Sequence, residues 1–206
     1  MEQASPTRTE LLACRAQIRL ATQGARLLRG KREALVREFL EEIRIFKSDR
    51  EKMLQSLSEA EQALIQALAL DGPEHLVAAG LANSRPIQID LEEQNIWGTK
   101  VVDVRSNFRA VAPADRPYSA LSTSARTDET VTAFEITVEN IIRIAPKLHK
   151  LGKLAEEIRK TTRRVNALEQ RLLPSLEGQV RYIRGVLDQR EREDIFRLKR
   201  IKRGKN

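Results

Sequence analysis

The stretch LLACRAQIRLATQGARLL, residues 11–28, carries the pattern that decides the fold. Its small and apolar residues recur at alternating steps of three and four, at positions 11, 14, 18, 21, 25 and 28. This is a heptad seam, along which one helix packs against another. The seam continues at positions 35, 39, 43, 46, 53, 57, 60, 64 and 67. Two successive steps of four, from 35 to 39 and from 39 to 43, form a stutter. Arg32 and Arg50 occupy two further positions of the seam.

Start and stop signals bound this helix. In SPTRTELL, residues 5–12, Ser5 is a candidate cap, Pro6 suits the first turn and Glu10 complements the helix dipole. In LDGPEH, residues 70–75, Gly72 and Pro73 stop it. The pattern therefore predicts one helix of about 60 residues, roughly 90–95 Å long at 1.5 Å per residue. A globular domain of this size needs no such helix.

A second seam of similar length begins near residue 129. Its positions are 131, 134, 138, 141, 145, 148, 155, 158, 162, 165, 168, 172, 176, 179, 183 and 186. Pro146 and Pro174 lie inside it, and each removes a backbone donor, so kinks or short breaks are expected there. Two equal stripes are most simply buried by antiparallel pairing, which brings both chain ends to the same tip.

The middle of the chain differs in kind. LVAAGLANS, residues 76–84, predicts a short helix. PIQIDLEE at 86–93 and NIWGTKVVDVR at 95–105 predict two strands that pair as a hairpin across EEQ, and residues 112–128 have a loop composition. We therefore predict a mainly α protein with three parts. These are an N-terminal coiled-coil helix over 1–70, an insertion with short helix, β-hairpin and loop over 71–128, and a C-terminal coiled-coil helix with a basic tail over 129–206.

The net charge of +8 is concentrated at the two ends of the chain. Residues 1–32 carry +5, residues 190–206 carry +5, and the 157 residues between them carry −2. Cys14 is the single cysteine, so a reducing compartment is expected. Neither a membrane-spanning apolar run nor a signal peptide is recognisable, and a cytosolic, soluble protein is the expectation.

The sequence offers no recognisable catalytic chemistry. His75, His149 and Cys14 form no credible metal cluster or nucleophile–base set, and neither a P-loop nor a GxGxxG motif is present. Paired acidic residues such as those at 41–42, 92–93 and 156–157 have the character of exposed charges. We expect no catalytic residue, no metal and no cofactor. Cys14, at a seam position, is expected to be a small packed residue.

The basic stretch RLKRIKRGK, residues 197–205, leaves two interpretations open. Lys and Arg supply most nonspecific affinity for nucleic acid. However, no aromatic residues are interleaved for base stacking, and a solvated tail is the plainer explanation. From the residues alone, a basic coiled-coil arm that binds RNA or DNA and a shaft-like interaction element are equally supported.

Four stretches together resemble the family of D subunits of the V-type and A-type rotary ATPases, over nearly the full chain. They are SPTRTELL at 5–12, LLRGKREALVREFLE at 27–41, RRVNALE at 163–169 and EREDIFRLKRIK at 191–202. NIWGTKVVDV at 95–104 is similar to a family segment that usually has Met or Val in place of Trp97. The middle segment is the least family-like part, and we expect that any longer family C-terminus is absent after KRGKN. A bacterial or archaeal source is expected.

The resemblance implies an antiparallel coiled coil of the terminal helices with a hairpin-bearing insertion at the far end. It also implies the role of central rotor stalk, a noncatalytic subunit that transmits torque between the hexamer of A and B subunits and the ion-translocating membrane ring. The implied partners are A, B, the F subunit and the C subunit, with no nucleic acid and no direct membrane insertion. The implied location is peripheral, on the cytoplasmic side of the membrane.

Three groups of residues are candidate sites. Arg163, Arg164, Asn166 and Glu169 are predicted to contact a partner or to set the helix register, with intrahelical pairing and solvation as the alternative. Arg197, Lys199, Arg200 and Lys202 are predicted to face the surrounding ring of subunits. Arg32 and Arg50 are predicted either to set register or to extend outward to solvent. The alternative functions are a nucleic-acid-binding arm and a free-standing coiled coil that self-associates.

Overall fold

A computed structural model describes residues 6–82, 86–116, 118 and 123–203, and its architecture is mainly α-helical. The elements in chain order are helices α1 (Arg8–Asp71) and α2 (Pro73–Ala82), strands β1 (Ile89–Ile96) and β2 (Thr99–Ser106), a 3-10 turn (Pro113–Asp115), helix α3 (Ala125–Ala167), a π-helical segment (Leu168–Leu172) and helix α4 (Leu173–Arg203). The predicted fold class, two long terminal helices flanking a short helix and a hairpin, is confirmed. None of the described helices combines the length and apolar character needed to cross a bilayer.

The N-terminus of α1 is capped by Thr7. Its hydroxyl accepts a hydrogen bond from the Glu10 amide at 3.2 Å, and its carbonyl accepts one from the Leu11 amide at 3.1 Å. The predicted cap, Ser5, lies outside the described residues. At the other end, α1 stops at Asp71 and Gly72 adopts a φ of 81°, a conformation that glycine takes without steric cost. The predicted stop is confirmed.

The chain forms two compact units. Unit 1 comprises Met1–Ala34 and Ile158–Asn206, and unit 2 comprises Leu35–Glu157. This division groups the residues by packing in space, whereas the three predicted parts follow the order of the sequence.

In unit 1, the start of α1 pairs with α4 and the end of α3 in antiparallel fashion. Arg8 forms an ion pair with Glu191 at 2.7 Å, and Arg29 forms one with Glu169. As the residue number rises along α1, the partner's number falls, which defines the direction. The buried residues are Cys14, Ala21, Ala25, Ala34, Thr161, Val165, Leu176 and Ile183. All of them except Ala34 and Thr161 occupy predicted seam positions, so six seam positions are confirmed as buried, whereas Leu172, also a predicted seam position, is 43% exposed.

Cys14 is a packed residue of this seam, as expected. Its side chain is buried, and its thiol lies 3.8 Å from Gln179 Oε1 and 4.0 Å from Glu10 Oε1. Burial, followed by the nearby Glu10 carboxylate, raises the pKa of the Cys14 thiol. The neutral thiol is therefore favoured, and a neutral, buried thiol is a poor nucleophile.

In unit 2, the remainder of α1 pairs with α3, again in antiparallel fashion. Lys150 Nζ contacts Glu38 Oε1 at 3.0 Å, and Lys147 pairs with Asp49. Farther along α1, Asn140 Nδ2 donates to Ser56 Oγ at 3.0 Å. Leu35, Ala60 and Ala67 of α1 are buried at predicted seam positions.

The buried face of α3 corrects the predicted seam in unit 2. The prediction placed positions 138, 141, 145 and 148 against α1, but Ile141 is 46% exposed and Leu148 is 60% exposed. The buried positions of α3 in this unit are instead Thr127, Thr130, Glu135, Thr137, Ile144, Pro146, Leu151 and Leu154. The threonines explain part of the error, because the Thr137 hydroxyl donates to the Ala133 carbonyl at 2.9 Å and so is satisfied within its own helix. A prediction based on the spacing of apolar residues places such a threonine on the surface.

The two prolines behave differently. Helix α3 continues through Pro146, which is buried, so the break expected there is absent. Pro174 is the second residue of α4 and lies two residues after the end of the π-helical segment Leu168–Leu172. Proline has no backbone N–H to donate to the carbonyl of the residue four positions earlier. In the wider π-helical turn, that carbonyl lies outside the regular pattern of α-helical hydrogen bonds.

The hairpin is confirmed, although its turn lies elsewhere. Strands β1 and β2 pair antiparallel from Ile89↔Ser106 to Ile96↔Thr99, so residues 92–94 belong to β1. The turn is Trp97–Gly98, with φ of 52° and 79°, as a two-residue turn between twisted strands requires. Ile89 and Leu91 of β1 are exposed, whereas Thr99 and Val101 of β2 are buried.

Candidate partner-binding surfaces

The last turns of α4 present a basic and apolar surface to solvent. The predicted residues Arg197, Lys199, Arg200 and Lys202 are all exposed. Exposed large apolar side chains alternate with them: Ile195, Phe196, Leu198 and Ile201, of which Phe196 is the most exposed at 71%. Every described residue from 188 to 203 is exposed. Four large apolar side chains exposed within one short helical stretch are a feature of interaction sites. We call residues 195–203 the basic tip.

The second predicted group lies at the end of α3, except Glu169, which lies within the π-helical segment. Arg163, Arg164 and Asn166 are exposed, whereas Val165 between them is 2% exposed. Glu169 is half-buried and pairs with Arg29 across the two helices of unit 1. The structure thus gives Glu169 a partner within the chain and leaves the other three facing solvent.

Arg32 and Arg50 occupy predicted seam slots in different environments. Arg32, in unit 1, is half-exposed, and Arg50, in unit 2, is exposed. A guanidinium at a seam edge can place its stem on apolar neighbours while its head stays in water. Their role in setting register stays a prediction.

A buried arginine centre in unit 2 was missed by the sequence analysis. The Arg116 side chain is 0% exposed and pairs with Asp128 at 3.2 Å and with Glu135 at 3.5 Å. Its guanidinium also donates to the Tyr118 hydroxyl at 3.0 Å and to Thr132 Oγ1 at 2.6 Å. The remaining acceptors are the carbonyls of Val111 at 3.2 Å and Asp128 at 2.9 Å. We call this group the Arg116 centre.

The Arg116 centre holds the loop before α3 against the first turns of that helix. Glu135 Oε2 also accepts the Val111 amide at 3.0 Å, so both halves of the loop are tied to α3. Burial, followed by the hydrogen bond to Asp128, raises the pKa of Tyr118 and favours the neutral phenol. The available sequence signal was the placement of Asp128, Thr132 and Glu135 at helical spacing beside a loop that contains two arginines, Arg109 and Arg116.

Lys150 forms the other ion cluster of unit 2. It lies between Glu38 and Glu42, one turn apart on α1. Burial alone would lower the pKa of Lys150, but its bonds to Glu42 and Glu38 outweigh that effect and raise it. The charged amine is thus held at the helix interface, where it joins α3 to α1.

Asp71 and Ser124 connect the end of α1 to the start of α3. The Ser124 hydroxyl donates to Asp71 Oδ2 and also accepts the Thr127 amide at 3.2 Å, as a helix cap does. The Thr127 hydroxyl donates to the same Asp71 oxygen at 3.1 Å. The Ser124 hydrogen bond is the main reason why the pKa of Asp71 lies below its ordinary value of 3.8. Burial opposes this effect, and Thr127 adds to it.

This depressed pKa predicts an acid-sensitive contact. A carboxylate whose folded-state pKa is lowered stabilises the fold above pH about 3.8, and that stabilisation is lost as the pH falls through the folded-state value. In Ser124→Ala the pKa of Asp71 is expected to rise toward 3.8, measured by carbon NMR titration of the carboxyl group. The exposed Ser58→Ala serves as the control and should leave it unchanged. An unaltered Asp71 titration in Ser124→Ala would contradict the assignment.

Comparison with known proteins places this architecture in a family. The family model for the D subunit of ATP synthase matches residues 10–203. The D subunit of the V-type ATP synthase of Thermus thermophilus is 46% identical over 202 residues, covering 98% of this chain and 89% of that protein. Its counterpart from Deinococcus radiodurans is 40% identical over 207 residues, covering 99% of this chain and 91% of its own length.

An archaeal relative extends the comparison. The D subunit of the A-type ATP synthase of Archaeoglobus fulgidus is 36% identical over 203 residues, covering 98% of this chain and 97% of that protein. The stretches that carried the resemblance fall within the matched range, except that only residues 10–12 of SPTRTELL are matched. Because the match runs along nearly the whole chain, the chain belongs to the family of ATP synthase D subunits.

Proposed function

We propose that this chain is the central rotor stalk of a V/A-type rotary ATPase. In this proposal it stands within the hexamer of A and B subunits, carries the F subunit and rests on the C subunit above the membrane ring. It is noncatalytic and lies on the cytoplasmic side of the membrane as a peripheral subunit. The observation that carries the proposal is the basic tip, an exposed helical end with alternating cations and large apolar side chains, in a chain of this family.

The antiparallel pairing in each unit suits a part that bears torque. In unit 1, cross-helix ion pairs at Arg8–Glu191 and Arg29–Glu169 flank a narrow seam of small residues. Twisting one helix relative to the other would have to break contacts all along the seam. A load distributed in this way is resisted by many small interactions rather than by one bond.

The charges of the tip suit sliding contact. Coulomb attraction between exposed charges falls smoothly with distance, and salt screens it beyond about 8 Å. Four exposed cations can therefore attract successive acidic groups of a surrounding ring without being trapped in one deep well. The apolar side chains among them supply short-range contact with the ring. ATP hydrolysis or synthesis takes place on the other subunits, and the rotation of this stalk couples it to ion transport.

Charge reversal of the tip tests the proposal. Replacing Arg197, Lys199, Arg200 and Lys202 with Glu should lower ATP turnover of the reconstituted complex about tenfold or more, since each exposed pair contributes about 0.2–1 kcal/mol and reversal adds repulsion. The matched control reverses four exposed cations of α1, namely Arg37, Arg44, Lys47 and Lys52. Full assembly and full turnover of the tip variant would refute the role of the tip.

Composition of the native complex tests the stalk itself. A tagged chain purified from membranes in mild detergent should recover two large nucleotide-binding subunits, each in about threefold excess over it. Recovery of nucleic acid without those subunits would favour the alternative, a basic arm. Such an arm, making about six phosphate contacts, would show a log–log salt slope near −5.

A further inference from the structure

A cleft in unit 2 lies between the end of β2 and the middle of α3. Its volume is about 540 Å³. It is lined by Val104, Arg105, Ser106, Phe108, Arg109, Glu139, Ile142 and Arg143. We call it the Arg109 cleft. None of these residues belongs to the basic tip or to the other predicted sites.

The charges in the Arg109 cleft are unbalanced. Arg109 Nη1 and Arg143 Nη2 approach the same oxygen, Glu139 Oε1, at 3.4 Å and 3.6 Å. Both distances exceed that of a good charge-assisted hydrogen bond, about 2.7–2.9 Å. One carboxylate thus lies between two guanidinium groups, and the trio carries a net charge of +1.

The side chains of Arg109 and Arg143 are accessible to solvent, and a hydrogen bond orients that of Arg109. The Arg109 and Arg143 side chains are 69% and 49% exposed, whereas Glu139 is 26% exposed. Arg109 Nη1 also donates to the Phe108 carbonyl at 3.0 Å, which orients the guanidinium in addition to Glu139. Arg105, on the rim, is different, because its charge is matched by Glu92 at 2.9 Å. The unmatched positive charge therefore sits at Arg109 and Arg143.

The walls of the cleft are partly apolar. Val104 and Phe108 from the hairpin side and Ile142 from α3 line it together with the charged groups. A ligand that fits must offer a carboxylate to the two arginines and an apolar group to these walls. An amphipathic protein segment with Asp or Glu beside Leu, Ile or Phe has both features on one face.

We propose that the Arg109 cleft binds an acidic amphipathic segment of a partner protein, with one carboxylate of that segment reaching the guanidinium groups of Arg109 and Arg143 from the solvent side, beside Glu139. A nucleic-acid ligand fits less well, because a continuous chain of phosphates would meet the Glu139 carboxylate, which lies between the two arginines and repels it. The inference goes beyond the stalk proposal and does not depend on it.

Site-specific cross-linking in the native complex tests this inference. The full-length chain, with the exposed rim residue Arg105 replaced by p-benzoylphenylalanine, is expressed in place of the wild-type chain and irradiated. The cross-linked partner peptide is identified by mass spectrometry. We expect an amphipathic segment with Asp or Glu within one helical turn of the cross-linked position. Cross-linking to nucleic acid, to a segment without acidic residues, or to nothing would overturn the proposal.

Charge exchange then tests the contact itself. Arg109→Glu combined with Arg143→Glu should weaken binding of the identified partner about tenfold, and replacing the partner carboxylate with Arg should restore it. The double variant Arg109→Gln and Arg143→Gln removes both charges without reversing them and should weaken binding about threefold. It tests the contact even if the double Glu variant does not fold. Arg159→Glu, an exposed reversal elsewhere on α3, serves as the control and should bind like wild type. A loss in the double variant that the partner exchange does not restore would overturn the proposal.

Discussion

Replacing Arg116 with Met is expected to lower the free energy of unfolding by about 3–5 kcal/mol. The Arg116 side chain is fully buried, and its removal leaves Asp128 and Glu135 without their buried cation. The Val111 and Asp128 carbonyls and the Thr132 hydroxyl lose a donor as well. A buried acceptor without a partner retains its full desolvation cost, so the loss exceeds that of an exposed pair.

Urea unfolding followed by circular dichroism measures this loss, and hydrogen exchange of the first α3 amides locates it. As a control, Arg126→Met replaces an exposed arginine in the first turn of α3 and should alter the free energy of unfolding by less than about 0.5 kcal/mol. Adding Glu135→Gln to Arg116→Met should recover part of the loss, since it neutralises a carboxylate that is only 5% exposed. A loss below about 1 kcal/mol in Arg116→Met would show that the centre is not a stabilising network.

Replacing Ile183 with Ala is expected to lower the free energy of unfolding by about 2–5 kcal/mol. Ile183 is 0% exposed in the seam of unit 1. The same seam contains Cys14, Ala21 and Ala25, whose short side chains have little freedom to fill a new cavity. The cost therefore includes both the lost burial of the removed methyl and methylene groups and the void that remains.

The neighbouring residue provides the control. Tyr182 is 57% exposed, and Tyr182→Ala should change stability by about 0.5 kcal/mol or less. Thermal unfolding followed by circular dichroism compares the two variants, and hydrogen exchange of α4 shows whether the loss lies in unit 1. Equal stabilities of Ile183→Ala and Tyr182→Ala would contradict the position assigned to Ile183 in the core.

The sequence alone determined the long helices and most of their contact face. Apolar and small residues at steps of three and four are a local property, because they follow from 3.6 residues per turn and from the need to bury one stripe. Positions such as Ala21, Ala25 and Leu35 could therefore be predicted without knowledge of their partners. The end of α1 at Gly72 and the pairing of two strands in the middle of the chain could also be predicted from local sequence signals.

The candidate surfaces could be predicted only in part. The sequence placed the basic tip, since a run of cations at a chain end is visible without a structure, and its exposure follows from its position past the last buried residue of the seam, Ile183. It did not show that Glu169 pairs with Arg29, because that contact joins residues 140 positions apart. The Arg109 cleft was not predicted either, since its arginines come from a loop and a helix that meet only in the folded unit.

Only the tertiary structure decided which polar residues are buried. Thr137 is buried because its hydroxyl bonds within its helix, and Arg116 is buried because loop and helix together supply its acceptors. Lys150, whose side chain is 19% exposed, is held at the helix interface by two glutamates of α1. A polar side chain is buried at low cost only when its partners are in place, and for Arg116 and Lys150 those partners include residues of other elements of the fold. The spacing of hydrophobic residues carries no information about such pairs. The predicted buried face of α3 was therefore wrong in unit 2, and the Arg116 centre was not predicted.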